Sequence, residues 1–430
     1  MVSAQNDADT CKTSNQANDT IKDKKSNSES VEEVRKMAEI MDGNGLKTIA
    51  FYLPQFHTIP ENDQWWGKGF TEWTNVGKAK KLFPGHYQPK VPADLGYYDL
   101  RLPEVREEQA KLAKEAGITG FCYWHYWFGK GKRLLERPFN EVLQSGKPDY
   151  PFCLGWANET WSNRSWNAKS KSIKDATLME QTYIASEYED HFYDVLPAFN
   201  DKRYITVDGK PLFVVFSPYA IPNLEEFIQC WRKLADKNGL KGIHFVGITN
   251  NISLREIGSY NTGAPRVPSF DEAALHYNYL LNKGFDAINS RGQLRAEMIV
   301  GGKYKMALKQ ALANYLKIDM LMKYEQSSIN KNLFVKEDSW DNAYPTIIPN
   351  WDRSPRSGRK AIVYTNSTPE VFEKQVKDAL NLVKEKKDEH RIIFLKSWNE
   401  WGEGNFMEPD LEYGHGYLDA LKRQLLGEKR

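Results

Sequence analysis

The sequence predicts a (β/α)8 TIM barrel with enlarged βα loops, and three observations predict it. A short apolar run followed by an amphipathic stretch recurs eight times over about 380 residues, a length such barrels commonly have. Polar and aromatic residues gather where the apolar runs end, which is the rim where barrels place their chemistry. No glycine-rich phosphate loop follows the first run. Pro54-Gln55-Phe56-His57 stands there instead, so an open doubly wound sheet fits less well.

The elements follow in order. Residues 1 to about 30 are Ser, Asn, Asp and Lys with few large apolar side chains, which predicts disorder. A short helix is expected over 30–41. The expected domains are therefore a tail at 1–45 and one catalytic barrel domain at 46–430. Strands are expected at 48–55, 120–128, 152–159, 211–217, 244–250, 344–351 and 391–397, with a weaker one at 270–277 as the sixth. Helices are expected at 102–116, 134–144, 186–199, 224–238, 303–324, 369–387 and 416–426. The loop 56–99 carries Trp65, Trp66 and Trp73. Loops of that length are often functional, so it reads as a lid or subsite wall, or as a packed cover over the rim.

Composition narrows the function. A net charge of +2 argues against nucleic acid or an anionic membrane as partner. No apolar stretch is long enough to span a bilayer. The first residues lack the apolar core of a secretory signal, so the chain as it stands reads as cytoplasmic, or as periplasmic or secreted if a signal has been removed. Oligomeric state is open. Cys11, Cys122, Cys153 and Cys230 show no CxxC spacing and predict neither disulfides nor a zinc site. The 13 tryptophans and 22 tyrosines exceed what a core alone suggests, and most tryptophans fall at run ends. That pattern suits a cleft for a ligand with apolar faces and many hydroxyls, a carbohydrate.

The densest cluster is Lys396-Ser397-Trp398-Asn399-Glu400-Trp401-Gly402-Glu403-Gly404, after the last apolar run. Hydrolysis of a glycosidic bond needs two carboxylates, one to move a proton and one to act at the sugar carbon. Glu400 and Glu403 are the candidate catalytic pair. Candidate substrate-binding residues at the other run ends are His57, Glu72, Trp73 and Trp66 from the first loop, and His125 and Trp127 from the second run. Trp156, Asn158, Glu159 and Trp161 follow the third, then Tyr277, Trp351, Asp352, Trp398 and Asn399. Glu159 is also a rival for a catalytic role, or else a partner of a hydroxyl or of Arg164. His57, His125 and Asp352 lack ligand spacing, so no metal is expected, and no cofactor. The basic stretch from Arg353 to Lys360 reads as a solvated loop, with phosphate binding as the alternative.

These motifs carry a resemblance. Ala50-Phe51-Tyr52-Leu53-Pro54-Gln55-Phe56-His57, the stretch Trp65-Trp66-Gly67-Lys68-Gly69-Phe70-Thr71-Glu72-Trp73, and Gly120-Phe121-Cys122-Tyr123-Trp124-His125-Tyr126-Trp127 resemble the WbsX-like proteins. So do Trp156-Ala157-Asn158-Glu159, Pro349-Asn350-Trp351-Asp352 and the terminal Trp-Asn-Glu-Trp run. That family bears a lipopolysaccharide-biosynthesis glycosyltransferase name. Its domain is also similar to glycoside hydrolase family 99, retaining (β/α)8 endo-α-mannosidases and mannanases. The resemblance implies Glu400 as the base acting on the sugar's own 2-hydroxyl, through a 1,2-anhydro sugar, and Glu403 as the acid/base. Gly402 departs from the histidine common there. The acid/base role needs a raised pKa at Glu403, which desolvation in a tryptophan-lined cleft is expected to supply, with Glu400 ionised and acting on the 2-hydroxyl or directly as nucleophile. The readings carried forward are a retaining glycosidase on a polysaccharide or glycan of manno or rhamno configuration, a glycosyltransferase of lipopolysaccharide, O-antigen or capsule synthesis, and an inactive carbohydrate-binding protein.

Overall fold

A computed structural model of the chain describes residues 45–162, 177–250, 273–302 and 318–427, with some positions between 305 and 316. The expected tail and its short helix lie outside the described residues.

Eight parallel strands form the centre: β1 Lys47–Tyr52, β2 Gly120–Trp127, β3 Phe152–Trp156, β4 Lys210–Val215, β5 His244–Thr249, β6 Ala287–Ser290, β7 Ala343–Ile347 and β8 Ile392–Leu395. Each pairs with its sequence neighbours, and β1 pairs with both β2 and β8, so the sheet closes into a ring. The closing registers are Lys47↔Ile392 through Ala50↔Leu395, and Ile49↔Gly120 through Tyr52↔Tyr123. Strands such as Phe152–Trp156 and Ile392–Leu395 are buried along their whole length, because helices cover the outer face and side chains fill the lumen.

The covering helices are α1 Pro103–Glu115, α2 Arg137–Ser145, α3 Tyr188–Phe199, α4 Leu224–Lys237, α5 Ala273–Asn282, α6 Gln293–Gly301, α7 Pro369–Val383 and α8 Gly416–Leu426. Helix α4 shows how they attach. It buries Phe227, Ile228, Trp231 and Leu234 at helical spacing. Trp231 packs on Phe213 of β4 and lies near Phe245 of β5. The loop 56–99 contains two short helices, Pro60–Trp66 and Glu72–Gly77.

Two expectations need correction. The run expected as the sixth strand lies in α5 from Ala273 on, where Ala273, His276, Tyr277 and Leu280 are buried at the 3.6-residue period. The sixth strand is Ala287-Ile288-Asn289-Ser290, too short and too polar to stand out. The end of the expected helix 303–324 is instead a strand, Met322–Glu325, paired in parallel with Ile362–Thr365 outside the barrel.

Candidate active site

The carboxylate pair owes its geometry to a tight turn. Beyond β8, Asn399–Glu400 pairs antiparallel with Asn405–Phe406, and Trp401–Glu403 forms one 3-10 turn between them. Residues three apart eclipse in a 3-10 turn, so Glu400 and Glu403 project to the same side. Trp401 turns the other way, stacks on Phe406 and donates to Glu408. Gly404 closes the turn at φ +59, and a Cβ there would lie 2.8 Å from the Asp352 backbone.

A second turn faces the first. After β7, Arg353 precedes the short helix Ser354–Ser357, so Arg353 and Arg356 are also three residues apart. Arg356 Nη1 lies 3.2 Å from Glu400 Oε1 and 2.9 Å from Glu403 Oε1. Those two oxygens are therefore no farther apart than the two contacts laid end to end, about 6 Å. Arg353 adds a contact to Glu403 at 3.0 Å, and Ser397 Oγ donates to Glu400 at 3.2 Å. Behind them Arg356 also pairs with the fully buried Glu72, which Asn75 donates to at 2.8 Å. A Cβ on Gly402 would lie 2.3 Å from Glu72 Oε1 and 3.0 Å from Arg356 Nε, so this buried pair requires glycine there.

Both carboxylates face a cavity of about 210 Å³ lined by Trp124, Tyr126, Trp161, Phe216, Glu159, Arg291, Arg353, Arg356 and Lys396. Their side chains are 13% and 12% exposed, enough to meet a solute. Burial and the Glu403 charge raise the Glu400 pKa. Burial works against Glu403 too, but Arg353, Arg356, Lys396 and Arg291 hold it down at about 2. This is the reverse of the order expected from desolvation of Glu403 alone. Burial lowers the Lys396 ammonium to about 7; it donates to Gln293 and sits 4.0 Å from the Trp351 ring centroid.

The structure sorts the expected site residues. Glu159, Trp161, Glu400 and Glu403 line the cavity. Glu159 accepts from Ser217 Oγ at 3.0 Å, and burial raises its pKa; Arg164 lies outside the described residues. Glu72 acts from behind. On β2 the expected residues are on the wrong face. His125 and Trp127 point outward onto His191 of α3, and Trp124 and Tyr126 point into the cavity, because side chains alternate along a strand. Trp156 is core, with its indole donating to the Trp127 carbonyl. Asn158 and Asn399 are clamps, not cavity groups. Asn158 bonds both Ser217 N and Ser217 O, and Asn399 bonds both Leu53 N and Leu53 O.

His57 is buried outside the cavity lining, with its pKa lowered by desolvation. Trp73 packs on Phe56, Tyr98 and Trp401, and Trp66 packs on Phe70. Tyr277 donates to Asp338 from α5, and Trp398 packs on Phe121. Trp351 and Asp352 border a different cavity of about 480 Å³, with Phe83, Tyr87 and Tyr413. Asp352 accepts from His86, Gln88 and Ser354 N, and so fixes the arginine turn. Among the described residues no His, Cys, Asp and Glu group has a metal-binding arrangement. The basic stretch is no solvated loop at Arg353 and Arg356. Sequence reasoning also missed Arg291 and Lys396 as site residues, and only their places after β6 and β8 marked them.

A closed (β/α)8 barrel with two carboxylates at the C-terminal rim holds them where such barrels do their chemistry. The structure resembles the GH99 endo-alpha-mannosidase from Bacteroides thetaiotaomicron, with TM-score 0.50 and 13% identity over 88% of this chain and 95% of that one. It also resembles a glycoside hydrolase-like protein, with TM-score 0.51 and 16% identity over 88% and 94%. The chain belongs to the WbsX family: the family described as Glycosyltransferase WbsX matches residues 48–421. It is 34% identical over 378 residues to the uncharacterized protein WxcX of Xanthomonas campestris pv. campestris, in strains B100 and ATCC 33913. That match covers 88% of this chain and 49% of WxcX, so the chain spans about half the length of the curated relatives it matches. Among the described residues no helix is long and apolar enough to cross a membrane.

Proposed function

We propose that the protein is a retaining glycoside hydrolase acting on a polysaccharide or glycan. The observation that carries this reading is the Glu400–Glu403 pair bridged by one nitrogen, Arg356 Nη1, beside an aromatic-walled cavity. Carboxylates about 5 Å apart suit retention, and inverting enzymes need wider spacing for a water. Trp124, Tyr126 and Trp161 offer flat faces to the C–H side of a sugar. A route through the 2-hydroxyl requires that hydroxyl trans to the leaving oxygen, as in α-manno and α-rhamno sugars. The GH99 neighbour's mannosidase activity agrees with that configuration.

The charges of the site support a particular division of labour. Burial and the neighbouring Glu403 charge favour the proton on Glu400, and the surrounding cations favour the anion at Glu403. Glu400 then protonates the leaving oxygen, and Glu403 acts on the 2-hydroxyl or on the sugar carbon. Panels of purified polysaccharides, with products read by mass spectrometry, test the hydrolysis. Glu400→Gln and Glu403→Gln each lower turnover roughly a thousandfold and leave glycan binding in place. Dinitrophenyl glycosides need no acid, so Glu400→Gln keeps activity on them and Glu403→Gln does not. The opposite result reverses the two roles.

The family's name favours a second reading, transfer of a sugar from an activated donor, and four cations line the cavity. Product formation from nucleotide sugars or lipid-linked sugars, with no release of reducing sugar, establishes that reading instead.

A further inference from the structure

Four cations line the cavity, and three have partners. Arg353 pairs with Glu403, Arg356 with Glu72, Glu400 and Glu403, and Lys396 donates to Gln293. Arg291 is different. It follows β6, with its backbone N–H donating to the Thr249 carbonyl at 2.8 Å, and its guanidinium lies over the Phe216 ring, 5.0 Å from the centroid. Among the described residues that guanidinium has no hydrogen-bond or ion-pair partner. The three carboxylates nearby are already engaged: Glu403 by two arginines, Glu400 by Arg356 and Ser397, Glu159 by Ser217. Arg291 is half-buried in the cavity wall, and a cation there with its donors unused gains from an incoming anion. Neutral hydroxyls supply that gain only weakly. A planar fork held over an aromatic ring matches a planar carboxylate in two parallel hydrogen bonds.

We infer that Arg291 binds the carboxylate of an acidic sugar, so that the substrate is a glycan containing uronic acid. The inference rests on the carbohydrate reading above and names the class of sugar within it. It leaves the chemistry to Glu400 and Glu403 and makes Arg291 the residue that selects the substrate.

The test is a titration of the full chain, read by tryptophan fluorescence from the cavity walls. The probes are D-glucuronate and D-galacturonate, their neutral counterparts D-glucose and D-galactose, and glucose 1-phosphate. The acidic sugars bind at least about tenfold tighter than the neutral ones, the difference expected for a charge-assisted pair. Arg291→Gln abolishes that ratio, and Arg291→Lys keeps part of it. Thermal melts of both variants establish that they fold, and the Lys variant serves if the Gln variant does not. Equal affinity for acidic and neutral sugars, including no binding of either, overturns the inference. So does an unchanged ratio in both variants. Preference for glucose 1-phosphate also overturns it and assigns the anion to an activated donor. Binding of uronates through Arg291 without any glycan cleavage sinks hydrolysis alone. Cleavage of a neutral glycan by wild type and Arg291→Gln alike sinks only the uronate.

Discussion

Arg356 holds three carboxylates on one guanidinium, and the deepest, Glu72, is fully buried. Removing a partner from a buried pair leaves a charge without compensation. Arg356→Met is therefore expected to cost about 3–5 kcal/mol in urea unfolding, although the variant keeps most of the side chain's apolar volume. Glu400 has the opposite balance. Its pKa is raised in the folded chain, so the native state binds more protons than the unfolded one, and stability from this group falls as pH rises past the unfolded value of about 4.3. Glu400→Gln removes that loss. Its melting temperature relative to wild type is expected to be higher at pH 8 than at pH 5, the trade of stability against activity common at such sites. Glu403 runs the other way: its depressed pKa lends stability above about pH 4.3 that is lost as pH falls toward 2.

Two facing turns, each presenting residues three apart, make the site, and glycine is what lets them meet. Gly402→Ala would drive a methyl into the Glu72–Arg356 pair, and Gly404→Ala would press on the Asp352 backbone from a left-handed conformation. Both are expected to lose turnover. Gly404→Ala is also expected to lower stability by about 1–3 kcal/mol, the range for backbone strain of this kind, measured by thermal melting. The sequence made the first turn legible, because Trp-Asn-Glu-Trp-Gly-Glu follows an unmistakable apolar run. It hid the second, since Arg353 and Arg356 stand in a stretch whose composition is that of a surface loop. It also hid Arg291, for a physical reason: β6 is four residues ending in Asn and Ser, and the apolar helix α5 beside it carries the stronger strand-like signal. On β2 the run Trp124-His125-Tyr126-Trp127 offers aromatic groups to both faces, and nothing in its composition says which face is the lumen.

The ring as a whole is readable from its eightfold beat, since seven of the eight strands overlap the expected runs. Its buried histidines carry a property that the beat does not reveal. Burial holds His125 at about 3 and His244 and His276 at about 4, and lowers His57 and His191 as well. An unfolded chain takes up protons on these imidazoles below about pH 6.5, and the folded one resists until about pH 4. Stability is expected to fall steeply from pH 6.5 to pH 4, with urea midpoints across that window as the check. His125→Phe is expected to flatten the fall, provided its ring packs on His191 as the imidazole does. The closure of the ring has a temporal consequence. The acidic pair lies just beyond β8, and β8 is clasped by β1, the strand made first, through Asn399 gripping Leu53 on both sides. Nascent chains on the ribosome that have not yet reached this seam have the walls of a pocket and lack its carboxylate pair. The hollow can gain Glu400 and Glu403 only after every other strand has been synthesised.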